Sequence, residues 1–279
     1  MRTTITSKLV VSALMCFAVA CDAQQSTSPA SQRGRAVQTE ASLSAARNPK
    51  AANTTIVLVH GAFAGALAWQ AVIPLLQREG YNVIAVENPL LSADQDVETT
   101  RRAIKTETDA GRDVVAVGHS YGGFVITGAA AGNSKVKALV YLAAFGPEAN
   151  ERVDAFLQQY PSDLGTALVP DAAGFLHIDA AKFHDVFAGD LPERETRIAA
   201  AAQKPIVGSA FGATVPAAAW KTIPSWYVVS RQDHAINPEL ERFYAKRMNA
   251  RTTELNASHV AFISRPREVA RVILEAAAK

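Results

Sequence analysis

Cysteine is nearly missing from this 279-residue chain, and the two that occur, Cys16 and Cys21, stand near its start. The remainder therefore has no thiol, no disulfide and no cysteine metal ligand, which excludes a disulfide-stapled scaffold. An excess of charge of one sign is lacking too. The formal net charge of +2 comes from the first fifty residues, where six Lys/Arg face Asp22 and Glu40, leaving 22 basic and 24 acidic groups for 51–279. No basic run or basic–aromatic interleaving occurs there, so nothing supports a nucleic-acid partner. His177 and His184 lack the carboxylate spacing of a metal site. Internal repeats are absent, and the one long apolar stretch, Leu9–Ala20, is too short for an ordinary membrane span. What is present is a composition 49% hydrophobic and 19% charged, ordinary for a globular protein with a sizeable core.

Residues 1–23 have the three parts of an export signal: Arg2 and Lys8 in front, the apolar stretch, and small residues at the exit. Ala18-Val19-Ala20-Cys21 allows cleavage after Ala20, and it also fits a bacterial lipobox, in which Cys21 is lipidated and attaches the protein to a membrane. A periplasmic or membrane-anchored protein is expected in either case. Residues 24–53, rich in Gln, Ser, Thr, Ala and Pro without apolar period, read as a flexible tether ahead of a domain at 54–279.

Within that domain, Val114, Val115 and Val117 form the apolar run of a strand buried on both faces. Gly118-His119-Ser120-Tyr121-Gly122 follows, a G-x-S-x-G element that exposes a serine on a sharp turn between strand and helix. The helix end favours an anion, as an acyl-transfer oxyanion would be. A G-x-S-x-G match also arises by composition, so the strand before it and the small-residue helix after it carry the reading. Thr54–His60 is a second buried strand, ending in Gly61-Ala62-Phe63-Ala64-Gly65. Beside Ser120, that loop offers the Ala62 N–H, with that of Tyr121, as an oxyanion hole, Phe63 being the weaker donor candidate.

The remaining pattern alternates. Trp69, Val72, Ile73 and Leu76 mark a helix that Pro74 delays or kinks. Asn82–Val86 predicts a strand, Asp96–Ala110 a helix, and Val136–Phe145 another strand, the βαβ series of a parallel sheet covered by helices. From Gly146 to about Thr222 the alternation stops, and a helical, loop-rich cap is expected there. Its predicted helices are Glu151–Tyr160, Ala180–Ala188 and Glu193–Ala202. Phe63, Phe145, Phe156, Phe187 and Trp220 are the candidate substrate-binding aromatics, with packing as the competing role of each. The core resumes at Ile223–Ser230, then a helix capped by Asn237 with Pro238 at its first position, a strand at Thr252–Leu255 and a helix from Pro266.

Asp233 and His259 each follow one of these late strands, so Ser120, Asp233 and His259 reach one sheet edge in chain order. That order suits a serine nucleophile, a histidine base and an acid that fixes the base's tautomer. His234 competes as base but is covalently next to Asp233, and Glu148 competes as acid because it also follows a strand.

Four segments, VLVHGAFAGALAW, VGHSYGG, SRQDHAINPE and SHVAFISRPREVA, make residues 54–279 resemble an α/β-hydrolase. The likeness is to the small-cap branch of plant methyl esterases, hydroxynitrile lyases and bacterial esterases such as pyrethroid hydrolases. It implies a Ser120, Asp233, His259 triad, an oxyanion hole at Ala62 and Tyr121, and no cofactor. Hydroxynitrile lyases carry a lysine directly after the catalytic histidine; Val260 stands here, against cyanohydrin chemistry. The expectation is an exported carboxylesterase for small-molecule esters, with lactone hydrolysis, perhydrolysis or non-catalytic ligand binding on the same fold as alternatives. Nothing in the sequence selects an acyl group or an oligomeric state.

Overall fold

The computed structural model describes residues 49–279; the expected export signal, Cys21 and most of the expected tether lie outside the described residues. The tether reading runs too far at its end, because Pro49–Ala52 forms a helical turn (α1) with Ala51 completely buried.

Six strands make one sheet in the order β2-β1-β3-β4-β8-β9, and every pairing in it is parallel. They are β1 (Thr54–Val59), β2 (Asn82–Val86), β3 (Asp113–His119), β4 (Val136–Leu142), β8 (Ser225–Ser230) and β9 (Arg251–Leu255). β1 and β8 are buried at every residue, as their near-continuous apolar sequences require of strands covered on both faces. β2 and β9 are the edges and are more exposed, and β9 is also polar. The covering helices are α2 (Ile73–Arg78), α3 (Ala93–Asp109), α4 (Tyr121–Ala129), α9 (Pro238–Arg247), the single turn α10 (Ala261–Ser264) and α11 (Pro266–Ala277). Pro74 lies in the first turn of α2, where its missing N–H is no loss, and a 3₁₀ turn over Ala66–Ala71 seats Trp69 in the core ahead of it.

Strand order fixes where a site can form. The chain steps from β1 outward to β2, then returns to the opposite side of β1 for β3 and runs on through β4, β8 and β9. Loops leaving the carboxyl ends of β1 and β3 therefore diverge, opening the crevice in which sheets of this type bind ligands. Register sets their levels: Val59 pairs with Gly118, Gly118 with Tyr141, and Leu142 with Val228.

Between β4 and β8 the chain builds the expected cap. The helices α5 (Val153–Gln159), α6 (Leu164–Ala167), α7 (Phe183–Phe187) and α8 (Glu193–Ala202) are joined by an antiparallel sheet of β5 (Leu168–Pro170), β6 (Phe175–Ile178) and β7 (Ile206–Val207). A bridge of Ala149 to Val215, with Asn150 N–H donating to the Val215 carbonyl at 2.8 Å, closes the neck of the insertion. Two ties fasten it to the loop after β2: Lys204 Nζ lies 2.7 Å from Glu87 Oε1, and Val207 N–H donates to the Leu90 carbonyl at 3.0 Å. Among the described residues no helix is long and apolar enough to cross a membrane.

Candidate active site

Ser120 occupies the point where β3 becomes α4, with φ 54° and ψ −123°. A non-glycine residue rarely holds that backbone, and it persists only where the surroundings enforce it. Ser120 N–H donates to the Leu142 carbonyl at 3.1 Å, while its own carbonyl accepts from Gly123 N–H at 2.9 Å and Phe145 N–H at 3.1 Å. Glycine on either side allows the close crossing. A Cβ on Gly118 would stand 2.4 Å from the Gly122 carbonyl oxygen, and one on Gly122 would stand 2.5 Å from that of Val59. Gly61 meets the same demand from the facing loop, since a Cβ there would fall 2.7 Å from Cβ of Ser120.

That contact brings the loop after β1 against the serine. Among the described residues neither the Ala62 nor the Tyr121 N–H has a hydrogen-bond acceptor, so two donors are free beside Ser120. The loop is anchored behind: His60 Nδ1–H donates to the Gly61 carbonyl at 2.8 Å, and its Nε2 accepts from Asn88 N–H at 3.0 Å. Burial lowers the basicity of His60, which keeps that ring neutral. The side chain of Tyr121 points away into the core, where its hydroxyl donates to Asp96 Oδ2 at 2.9 Å while Asp96 Oδ1 accepts from Leu90 N–H at 2.8 Å. Burial raises both the Asp96 carboxyl and the Tyr121 phenol, so Tyr121 offers the site its backbone only.

On the other side of the crevice, His259 Nδ1 lies 2.5 Å from Asp233 Oδ2, and both side chains are sealed from solvent. Asp233 Oδ1 accepts from Ala235 N–H at 2.7 Å and Ile236 N–H at 2.8 Å, which holds the carboxylate in one orientation. With Nδ1–H given to the acid, Nε2 of the imidazole is the nitrogen left to take up a proton. His119 secures the histidine's main chain by donating Nε2–H to the His259 carbonyl at 3.0 Å, and the two rings lie 4.6 Å apart. Desolvation drives the basicity of His119 well down, the adjacent His259 adding to the effect, so it packs there as a neutral ring.

The competing residues lie elsewhere. Glu148 is ion-paired with Lys221 at 2.5 Å on the partly exposed rim of the cap, and His234 faces Asp163 at 2.6 Å near the surface. Of the aromatics, Phe187 reaches down from α7 to within 4.8 Å of the His259 ring and meets Phe63 edge-on at 6.1 Å. Phe145 stands edge-on to Phe211 at 6.4 Å, and Phe211 in turn to Tyr121 at 6.1 Å. Phe156 packs on Phe243 and Tyr244, and Trp220 donates to the Pro147 carbonyl at 2.9 Å. Both lie over the Arg247 guanidinium, so for these two the packing role is the one the structure gives. Ser120 is 7% exposed and His259 1%, and Phe187 of the cap packs against the His259 ring.

Four features were not readable from the sequence. Gly61, His119, the tie from the Ser258 hydroxyl to Asp190 of the cap at 2.5 Å, and Glu241 beside Asp233 all depend on contacts between distant segments. Among the described residues no group of three or more His, Cys, Asp or Glu is placed to hold a metal ion.

The chain is similar to known proteins. Residues 56–272 match the model of a family described as alpha/beta hydrolase. An alpha/beta hydrolase of Aspergillus novofumigatus, nvfD, is 28% identical over 242 residues, covering 80% of this chain and 96% of that protein. Methylesterase 8 of Arabidopsis thaliana is 26% identical over 210 residues, 67% of this chain and 75% of its own. Among solved structures, a pyrethroid hydrolase from Sphingobium faniae JZ-2 superposes with a TM-score of 0.67 at 25% identity, over 81% of this chain and 97% of that one. With a parallel sheet, a serine on the turn after its third strand and relatives that include hydrolases and esterases, the chain belongs to the alpha/beta hydrolase family.

Proposed function

We propose that the protein is an exported serine hydrolase, a carboxylesterase that cleaves small or medium apolar esters through an acyl-enzyme. The observation that carries this reading is the buried, 2.5 Å His259–Asp233 pair, with the His259 ring 4.6 Å from that of His119, next to a serine held in a strained turn. In the first step the Ser120 hydroxyl adds to the ester carbonyl while His259 Nε2 takes its proton. The carbonyl oxygen, now an oxyanion, is met by the free N–H groups of Ala62 and Tyr121. Collapse expels the alcohol, which receives the proton from His259, and leaves an ester on Ser120. Water, deprotonated by the same imidazole, then attacks that ester and frees the acid with the serine restored. Asp233 balances the imidazolium throughout and keeps Nδ1 as the protonated nitrogen.

The apolar, nearly closed surroundings favour a compact, uncharged substrate over a polymer. Relatives named as a methylesterase and a pyrethroid hydrolase support ester hydrolysis here. A fluorophosphonate probe followed by a panel of aryl and alkyl esters of graded acyl length tests the reading. Covalent labelling at Ser120 and turnover that declines with long acyl chains are expected. A protein that stays unlabelled yet binds an ester would be a ligand-binding member of the fold.

A further inference from the structure

The hydrolytic scheme leaves one buried acid beside the site unused. Glu241 lies on α9, one turn beyond its Asn237 cap, and is completely inaccessible to solvent. Its Oε2 accepts from Ser230 N–H at 2.9 Å, and its Oε1 has no donor among the described residues. Ser230 ties it to Asp233, whose own N–H donates to the Ser230 carbonyl at 3.2 Å, and the Asp233 charge acts on the Glu241 carboxyl group. The other ionisable groups acting on it are Tyr227 of β8, whose hydroxyl is bound to the Ala144 main chain, and Arg242 of its own helix. Arg242 is committed at the surface to Glu239 at 2.6 Å and Glu254 at 2.8 Å, so no buried cation compensates Glu241.

Two carboxyl groups side by side in a dry interior do not both ionise. Asp233 receives three N–H donors, from Ala235, Ile236 and His259, an arrangement that suits an anion. Glu241 receives one. We propose that Glu241 is a neutral carboxylic acid whose O–H donates to Asp233, a positioning residue that fixes the acid of the acid–histidine pair. Burial first, and the Asp233 charge second, push the Glu241 carboxyl well above the ordinary glutamate range. The proton fills the gap that Oε1 otherwise shows. Asp233 then has four donors around it, and its orientation decides that of the His259 ring. The effect on turnover rests on the esterase reading given above; the protonation itself does not.

The pH dependence has a definite sign. An unfolded glutamate loses its proton near 4.5, whereas the folded Glu241 keeps it, so above that value the folded state binds the extra proton. Its contribution to stability is full below the unfolded value and is lost as pH rises through the folded one. Glu241→Gln retains shape, an N–H donor for Asp233 and an acceptor for Ser230, and has no proton to lose. Thermal unfolding of wild type and Glu241→Gln, compared from about pH 5 to about pH 9, should show the variant's Tm rising relative to wild type as pH increases. Infrared difference spectra at neutral pH should show a protonated carboxyl carbonyl in wild type that the variant lacks. A Tm difference constant with pH, or a carboxylate band in place of the acid band, would overturn the proposal.

Kinetics on a nitrophenyl ester adds the positioning test. Glu241→Leu, which cannot donate, should lower kcat by about tenfold or more, the worth of one hydrogen bond to a charged group, with little change in KM. The Gln variant should recover most of that loss, and equal losses in Gln and Leu would contradict a donor role. If the Leu variant does not fold, the unfolding and infrared comparison of wild type with Gln decides alone. A wild type without esterase turnover would count against the proposed function and leave the protonation test in force.

Discussion

Asp233 and Glu148 both follow core strands, and as residue types they are equivalent candidates to orient a histidine. Their surroundings separate them. Asp233 is sealed in with His259 and two main-chain donors, whereas Glu148 spends its charge on Lys221 at the rim. Replacing the acid by its amide removes the charge that balances imidazolium and favours the wrong tautomer, a loss of about ten-thousandfold in a serine protease. Asp233→Asn should therefore lower kcat by orders of magnitude with little change in Tm, while Glu148→Gln should cost less than about tenfold, as an exposed ion pair does. The reverse ranking would move the acid to the end of β4. Ser120, Asp233 and His259 were legible in the sequence because each follows a recognisable strand and the fold requires that order. Gly61 and Glu241 were not, because what makes them matter is a neighbour 59 and 8 positions away that only the folded chain brings close.

At the scale of elements, the strands of the main sheet other than β9 were readable from their apolar runs, and α9 from Asn237, whose Oδ1 accepts from Glu239 N–H at 3.0 Å. The helix expected from Asp96 starts earlier, at Ala93, because Ser92 caps it by accepting from Gln95 N–H at 3.2 Å. The strand expected to reach Phe145 stops at Leu142, since Ala143 turns the chain with φ 43°. Least legible was the cap sheet. Its strands LVP, FLHI and IV are two to four residues long, too short to show a period. The helix α7 was foreseen, and it carries the aromatic that touches the site. Phe187 is nearly buried between Phe63, Phe183 and His259, and it limits the space above the imidazole. Phe187→Ala should raise kcat/KM for longer acyl chains relative to acetate by about tenfold or more. It should also destabilise the fold by about 3 kcal/mol. Kinetics across an acyl series and a thermal melt check both, and an unchanged chain-length profile would assign Phe187 to packing alone.

For the whole molecule, the sheet order and the divergence of loops at β1 and β3 explain why residues from four parts of the chain meet at one edge. The sequence made that architecture legible because parallel strands buried on both faces leave continuous apolar runs, and because helices fill the intervals. The fastening of the cap to the core was not legible, for it depends on long-range ties such as Lys204 to Glu87 and Ser258 to Asp190. An anchor at Cys21 would hold this domain near a membrane by a flexible tether. Cys21→Ser should then release the protein from the membrane fraction or leave its signal uncleaved, and unchanged partition would rule out lipidation as the attachment. If Ser120 is the nucleophile, intact-protein mass after treatment with a fluorophosphonate, for wild type and Ser120→Ala side by side, shows it most directly. One adduct is expected on the wild type, located at Ser120, with parallel loss of ester hydrolysis, and neither adduct nor turnover in a variant that melts like wild type. Hydrolysis of the same esters by Ser120→Ala at the wild-type rate would contradict it.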